Sequence, residues 1–170
     1  MSDPAATADI RRGIHTSFLT PGTRIATALA VLVAQVGLAI PAVLNGLFQE
    51  NLHTTSSQLT WISDAFLVPV ALLELTFGVL GDLFGRKRLL IGGSLLMAIG
   101  ELLSTLTPGA ATSNTASIGI LWTGQALTGI GAGALFPTTL AMVAAGTHTA
   151  QSRARGIAIW AAALSSGGFV

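Results

Sequence analysis

Residues 61–81 read WISDAFLVPVALLELTFGVLG, followed by Asp82-Leu83-Phe84-Gly85-Arg86-Lys87-Arg88 and then, at residues 89–107, LLIGGSLLMAIGELLSTLT. Two apolar runs of about 20 residues flank a short basic turn, and at about 1.5 Å of rise per residue each matches a hydrocarbon core of about 30 Å. The runs are continuous rather than alternating, which argues against barrel strands. Helices remain, because backbone groups in lipid must be satisfied within the segment. Working outward, the same pattern gives spans at about Arg24–Phe48 and Ile118–Ala145, beside Trp61–Gly81 and Leu89–Thr107. A fifth run starts at Gly156 and reaches Val170, about 22 Å of helix and too short to cross. The expected fold is therefore an all-α membrane bundle of four complete spans and an incomplete fifth. Residues 24–170 form the bundle and residues 1–23 a polar tail.

Composition agrees. Of 170 residues, 51% are hydrophobic and 9% charged, against about 25% charged in soluble domains, and the mean hydropathy is +0.73. The absence of cysteine excludes disulfides, thiolate metal sites and cysteine nucleophiles. A net charge of +1 offers no field for nucleic acid. His15, His53 and His148 fall in the tail, an outer loop and an inner loop without helical partners or an acidic cluster, so no metal site is expected. No GxxxxGK[ST] phosphate loop and no placed Ser, His and acid set occurs. Neither an enzyme nor a cofactor is expected.

The basic residues are segregated. Arg11, Arg12 and Arg24 precede span 1, Arg86, Lys87 and Arg88 join spans 2 and 3, and Arg153 and Arg155 join spans 4 and 5. Basic loops stay cytoplasmic, which puts the N-terminus inside a cell membrane and Gln49–Thr60 and Pro108–Ser117 outside. Trp61 and Trp122 then fall at the outer interface, where indoles prefer to sit. The first apolar run exceeds a signal-peptide core and lacks a small-x-small cleavage site, so it reads as a retained helix.

Within the spans, Gly124, Gly129, Gly131 and Gly133 crowd one stretch, with Gly129 and Gly133 forming a GxxxG. Small residues let helix backbones approach closely in lipid, so packing is the first reading and substrate lining the second. Pro41 and Pro137 favour kinks in spans 1 and 4. Two acids lie at membrane depth: Glu74, about 12 Å from Asp82 along span 2, and Glu101, about 20 Å from Arg88 along span 3. Intramembrane acids are functional candidates by default. Burial disfavours the charged carboxylate, so either is a candidate to load and release a proton. Otherwise each is a structural group beside a neighbour such as Gln35, Asn45 or Gln125. On span 2, Asp64, Leu67, Ala71, Glu74, Gly78 and Gly81 follow a 3,4 spacing that predicts one stripe facing protein or a cavity.

Asp82 ends a helix whose dipole is already negative there, so it needs a cation, and Arg86 and Arg88 follow a Gly85 turn. This turn resembles the signature between the second and third helices of the major facilitator superfamily, roughly G-x-L-A-D-R-x-G-R-K/R-x-x-L. It matches at Gly78, Leu80, Asp82, Gly85, Arg86 and Lys87 and departs at Gly81 and Leu83. The resemblance implies a conformational latch in which Asp82 and Arg86 bind across the inner face in one state, with Gly85 permitting the turn and Lys87 and Arg88 completing the loop. Gln125-Ala126-Leu127-Thr128-Gly129-Ile130-Gly131-Ala132-Gly133 looks like the family's R-x-x-Q-G-x-G-A-A run. Gln125 stands where the family has arginine, and Thr128 where it has glutamine. Gly37 stands at about the position of an acid often seen in span 1 of the fourteen-span drug:proton antiporters, the branch that residues 58–93 most resemble. The helix 5 exporter motif, G-x-x-x-G-P-x-x-G-G, is not completed before Val170.

The resemblance implies a secondary transporter that exports drugs or small metabolites against a proton flux, with the lipid bilayer, a small-molecule substrate and protons as partners. Glu74 and Glu101 are the candidate coupling groups, Gln35, Asn45, Gln125 and Thr128 the candidate pathway lining. Ending within an apolar run, the chain reads as an N-terminal fragment whose C-terminal helices lie elsewhere. The alternative is a small membrane interaction protein, or a non-transporting truncated product, that assembles through its glycine-rich faces.

Overall fold

Thr55 starts the second of the five helices among the described residues: its hydroxyl accepts from the Gln58 amide at 3.3 Å, while the Gln58 side chain accepts from the Thr55 amide at 2.8 Å. The computed structural model describes residues 21–108, 114–147 and 149–169. Most of the tail, His15, His148 and the middle of the second outer loop lie outside the described residues. The helices are α1 (Pro21–Leu52), α2 (Ser56–Phe84), α3 (Arg86–Thr105), α4 (Asn114–Ala145) and α5 (Ala150–Gly167). α1 to α4 are long and apolar enough to cross a membrane. α5, with 18 residues, opens on a second reciprocal cap between Thr149 and Ser152.

The helices overrun the apolar windows. Winding continues until a cap or a turn interrupts it, so α1 runs to Leu52 and α2 begins at Ser56. The outer connection expected over Gln49–Thr60 shrinks to the non-helical residues His53–Thr55. At the other end of α2, Gly85 alone makes the turn, with φ +96°, a conformation that costs a side-chain-bearing residue. Pro69 joins Pro41 and Pro137 as a proline within a helix.

α4 carries no charged residue and is rich in Gly, Ala and Thr on every side, so it can bury its whole circumference. In its apolar window 56% of positions are buried, against 28% in α1, 11% in α2 and 17% in α3. It packs chiefly on α3 and α2, while α5 lies mainly against α1. Ala34, Phe66, Met97, Ala132 and Leu135 form the central core. Leu52, Ile62 and Leu121 form a second cluster near the outer turn. Beside it the Trp61 and Trp122 rings sit 6.4 Å apart, and Trp122 Nε1 donates to the Gln58 carbonyl at 3.4 Å.

The α2 stripe does not hold as one buried face within this bundle. Gly81 is buried and Gly78 half-buried beside Pro137, but Leu67, Ala71 and Glu74 are exposed. The packing edge of α2 is instead Ile62, Phe66 and Gly81. Glu74 and Gly81 lie only about 20° apart around the helix, so the change runs along its length: Gly78 and Gly81 reach Pro137 and Thr138 of α4, whereas Leu67, Ala71 and Glu74 stay exposed in this bundle.

Candidate functional site

At the inner turn, Arg86 works through geometry that Gly85 provides. Its Nη2 donates to Asp82 Oδ1 at 2.8 Å and its Nε to the same oxygen at 3.2 Å. Its Nη1 donates to the Ala141 carbonyl, in the last turns of α4, at 2.7 Å. One guanidinium thus neutralises an acid at the C-terminal end of α2 and satisfies a carbonyl near the C-terminal end of α4, where unpaired carbonyls carry partial negative charge. The Asp82 side chain is 65% exposed and that of Arg86 34%, so the ion pair alone contributes little. The Ala141 bond is the part that ties the turn to the central helix. Gly81 is buried beneath this turn, where a Cβ would meet Leu89, Thr138 Oγ1 and the Arg86 side chain at ordinary contact distances of 3.6, 3.7 and 3.8 Å. Lys87 and Arg88 are exposed, and their side chains have no hydrogen bond or ion pair among the described residues.

A second arrangement lies within the membrane-spanning segments, where α1, α3 and α4 meet. Glu101 is half-buried, and its Oε1 is enclosed without a hydrogen-bond partner. That oxygen fills the space beside Gly37, where a Cβ would lie 2.7 Å from it, 2.9 Å from Met97 Cε and 3.6 Å from Thr128 Cγ2. α4 has no charged residue, and α1 carries only Arg24 and Glu50, near its two ends, so Glu101 faces no counter-charge from either helix. Thr128, 0% exposed, donates to the Gly124 carbonyl at 2.9 Å and packs on Gly100. Gln125, 3% exposed, reaches Ser104 Oγ at 3.5 Å, and its Oε1 is enclosed and unpartnered.

The candidate residues therefore divide. Glu101, Thr128 and Gln125 gather along α3 and α4. Gln35 lies apart, packed against Gly167 of α5, and Asn45 holds an enclosed, unpartnered Oδ1 further along α1. Glu74 is exposed on α2. The glycines of α4 serve two neighbours: Gly129 abuts the Phe66 backbone and Gly133 approaches Val70, both on α2, whereas Gly131 abuts Gly93 and Met97 of α3. Among the described residues no group of three or more His, Asp or Glu side chains converges as a metal site. Sequence reasoning missed Ala141 and Ser104. A backbone acceptor has no residue signature, and a serine in an apolar helix gives no hint of its partner.

The α2–α3 turn and the small-residue central helix sit in a bundle of membrane-spanning helices, and comparison gives its class. The model of the Major Facilitator Superfamily matches residues 25–170, and the chain belongs to that superfamily. Membership groups it with transport proteins rather than enzymes. It is 30% identical over 145 residues to the multidrug resistance protein Stp of Mycobacterium tuberculosis, covering 85% of this chain and 26% of that one. It is 31% identical over 140 residues to the multidrug efflux pump LfrA of Mycolicibacterium smegmatis, covering 82% and 26%. With the methylenomycin A resistance protein of Bacillus subtilis it shares 32% over 142 residues, covering 84% and 29%. The chain thus spans between a quarter and a third of the length of these relatives.

Proposed function

We propose that this chain forms the first helices of a proton-coupled exporter of drugs or small metabolites, of the fourteen-span branch, with its N-terminus and basic loops in the cytoplasm. The observation that carries the reading is the half-buried Glu101 carboxyl, one of whose oxygens is enclosed and unpartnered where α1, α3 and α4 meet, with no counter-charge facing it from α1 or α4. An acid so placed within an apolar span is rare enough to be a functional candidate by default, and a coupling group needs such a place. Arg86, through Asp82 and Ala141, acts as the inner latch: when it holds, the inner ends of α2, α3 and α4 move together. Glu74, exposed on α2, is the second coupling candidate, with Gln35, Asn45, Gln125 and Thr128 as polar groups along the route. The relatives' names, multidrug resistance protein and multidrug efflux pump, support export of drugs. The glycine faces of α4 are engaged by α2 and α3, which favours this reading over assembly of separate small chains through those faces.

The test is transport by the whole gene product in proteoliposomes carrying an imposed pH gradient, with ethidium and methyl viologen as probes. Substrate movement is expected to follow the proton gradient and to stop with a protonophore. Glu101→Gln is expected to uncouple it, leaving binding but no response to pH. Full gradient-driven movement in both Glu101→Gln and Glu74→Gln sinks the coupling assignment.

A further inference from the structure

A cavity of about 260 Å³ opens at the basic end of the bundle, between the first turns of α1, the last turn of α4 and the first turns of α5. Arg24 lines it from α1 and Arg155 from α5, with Ala28, Val143, Ile159 and Trp160 as its apolar wall. Neither arginine side chain has a hydrogen bond or ion pair among the described residues. At this end of the described bundle the acid is Asp82, and Arg86 already engages it. Two guanidiniums therefore border one cavity without a compensating acid among the described residues.

The hydroxyls there do not change the balance. Thr27 donates to the Thr23 carbonyl at 3.0 Å and Thr147 to the Ala144 carbonyl at 2.9 Å, so each spends its one proton on its own helix. What the cavity offers a ligand is chiefly the donor capacity of Arg24 and Arg155, which suits an oxyanion, and a guanidinium fork matches phosphate oxygens in particular. The apolar wall asks for more than a free ion. Arg24 immediately precedes the apolar run of α1, and Arg155 that of α5, so both stand where hydrocarbon gives way to water. Below them Trp160 is held in place by its Nε1 bond to Thr139 Oγ1 at 3.0 Å, and Ile159, 63% exposed, carries the apolar wall out to the surface. A ligand with an anionic head and an apolar body, at the level of the bilayer surface, fits both parts.

We propose that this cavity binds the phosphate of an anionic phospholipid between Arg24 and Arg155, with the apolar end of the lipid along Val143, Ile159 and Trp160. The site is separate from the latch and from Glu101, and it does not depend on proton coupling. Inorganic phosphate shares the head chemistry but lacks the apolar body, which makes it the discriminating competitor.

The experiment is native mass spectrometry of the chain purified in detergent doped with phosphatidylglycerol or phosphatidylcholine. One phosphatidylglycerol is expected to be retained in preference to phosphatidylcholine. Arg24→Gln or Arg155→Gln should each weaken retention about five-fold, and the pair about thirty-fold, as expected for interfacial arginines. Arg153→Gln should leave it unchanged, since Arg153 is exposed and does not line the cavity. Equal loss with Arg153→Gln would reduce the site to diffuse attraction and overturn the proposal, as would equal retention of the two lipids. Displacement of the lipid by millimolar inorganic phosphate would reassign the cavity to a free anion. The lipid preference and the phosphate competition use the unaltered chain, so they decide the matter even where a variant fails to fold.

Discussion

Along the seam between α3 and α4 the backbones meet at Gly93, Gly100, Gly124 and Gly131. By contrast, α2 touches α4 along one edge and leaves Leu67, Leu72, Glu74 and Leu75 exposed. α2 and α3 each carry an intramembrane glutamate, yet Glu101 of α3 has one oxygen enclosed beside Gly37 of α1, while α2 presents Glu74 outward. Depth in the membrane is therefore a poor guide to environment. What separates the two acids is what stands beside them: Gly37 leaves space that the Glu101 oxygen fills, whereas Glu74 shares the exposed side of α2 with Leu72 and Leu75.

The largest expected effect would break the close edge of this comparison. Gly129→Ala places a Cβ against the Phe66 carbonyl, and overpacking of that kind should cost about 3 kcal/mol. Gly119→Ala, on the same helix with nothing within 4 Å, should instead leave stability equal or raise it by up to about 1 kcal/mol. Unfolding in micelles followed by circular dichroism reads both signs, and equal effects would remove the distinction.

Next comes the inner turn. Arg86→Ala loses the Ala141 and Asp82 bonds together and should cost about 2 kcal/mol, while Lys87→Ala should stay within about 0.5 kcal/mol. Protease access to the turn provides a second readout of its release. Gly85→Ala, at φ +96°, should cost about 1 kcal/mol through the backbone alone. The smallest effect belongs to the open side: Glu74→Leu should change stability by less than about 0.5 kcal/mol, because Glu74 is exposed in this bundle. A loss of several kcal/mol from that substitution in chemical denaturation would show that the face is enclosed after all.

The number of spans was legible because lipid demands long apolar runs and leaves no other solution for the backbone. The inner turn was legible too, since Asp82, Gly85 and Arg86 each follow from a helix end, a reversal and a charge to neutralise. The partners were less so. Arg86 finds the Ala141 carbonyl, a group every residue possesses. Glu101 settles beside Gly37, and a glycine does not specify which side chain will occupy the space it leaves. The α2 stripe is covered at Gly78 and Gly81 by α4 and exposed at Leu67, Ala71 and Glu74 in this bundle, because a spacing gives the face of a helix and not how far along it a neighbour reaches.

The hydroxyls of the membrane helices are largely content within their own chain segments. Thr128 bonds the Gly124 carbonyl, Thr139 that of Leu135, Thr123 that of Gly119 and Ser104 that of Gly100. An unsatisfied polar group in hydrocarbon costs several kcal/mol, so these bonds let each helix leave the ribosome and enter the bilayer singly, before any neighbour is in place. Biogenesis can then proceed in two stages, insertion first and docking of the glycine seam afterwards. The threonines that look like weak points for an apolar helix are what free its insertion from the timing of the others.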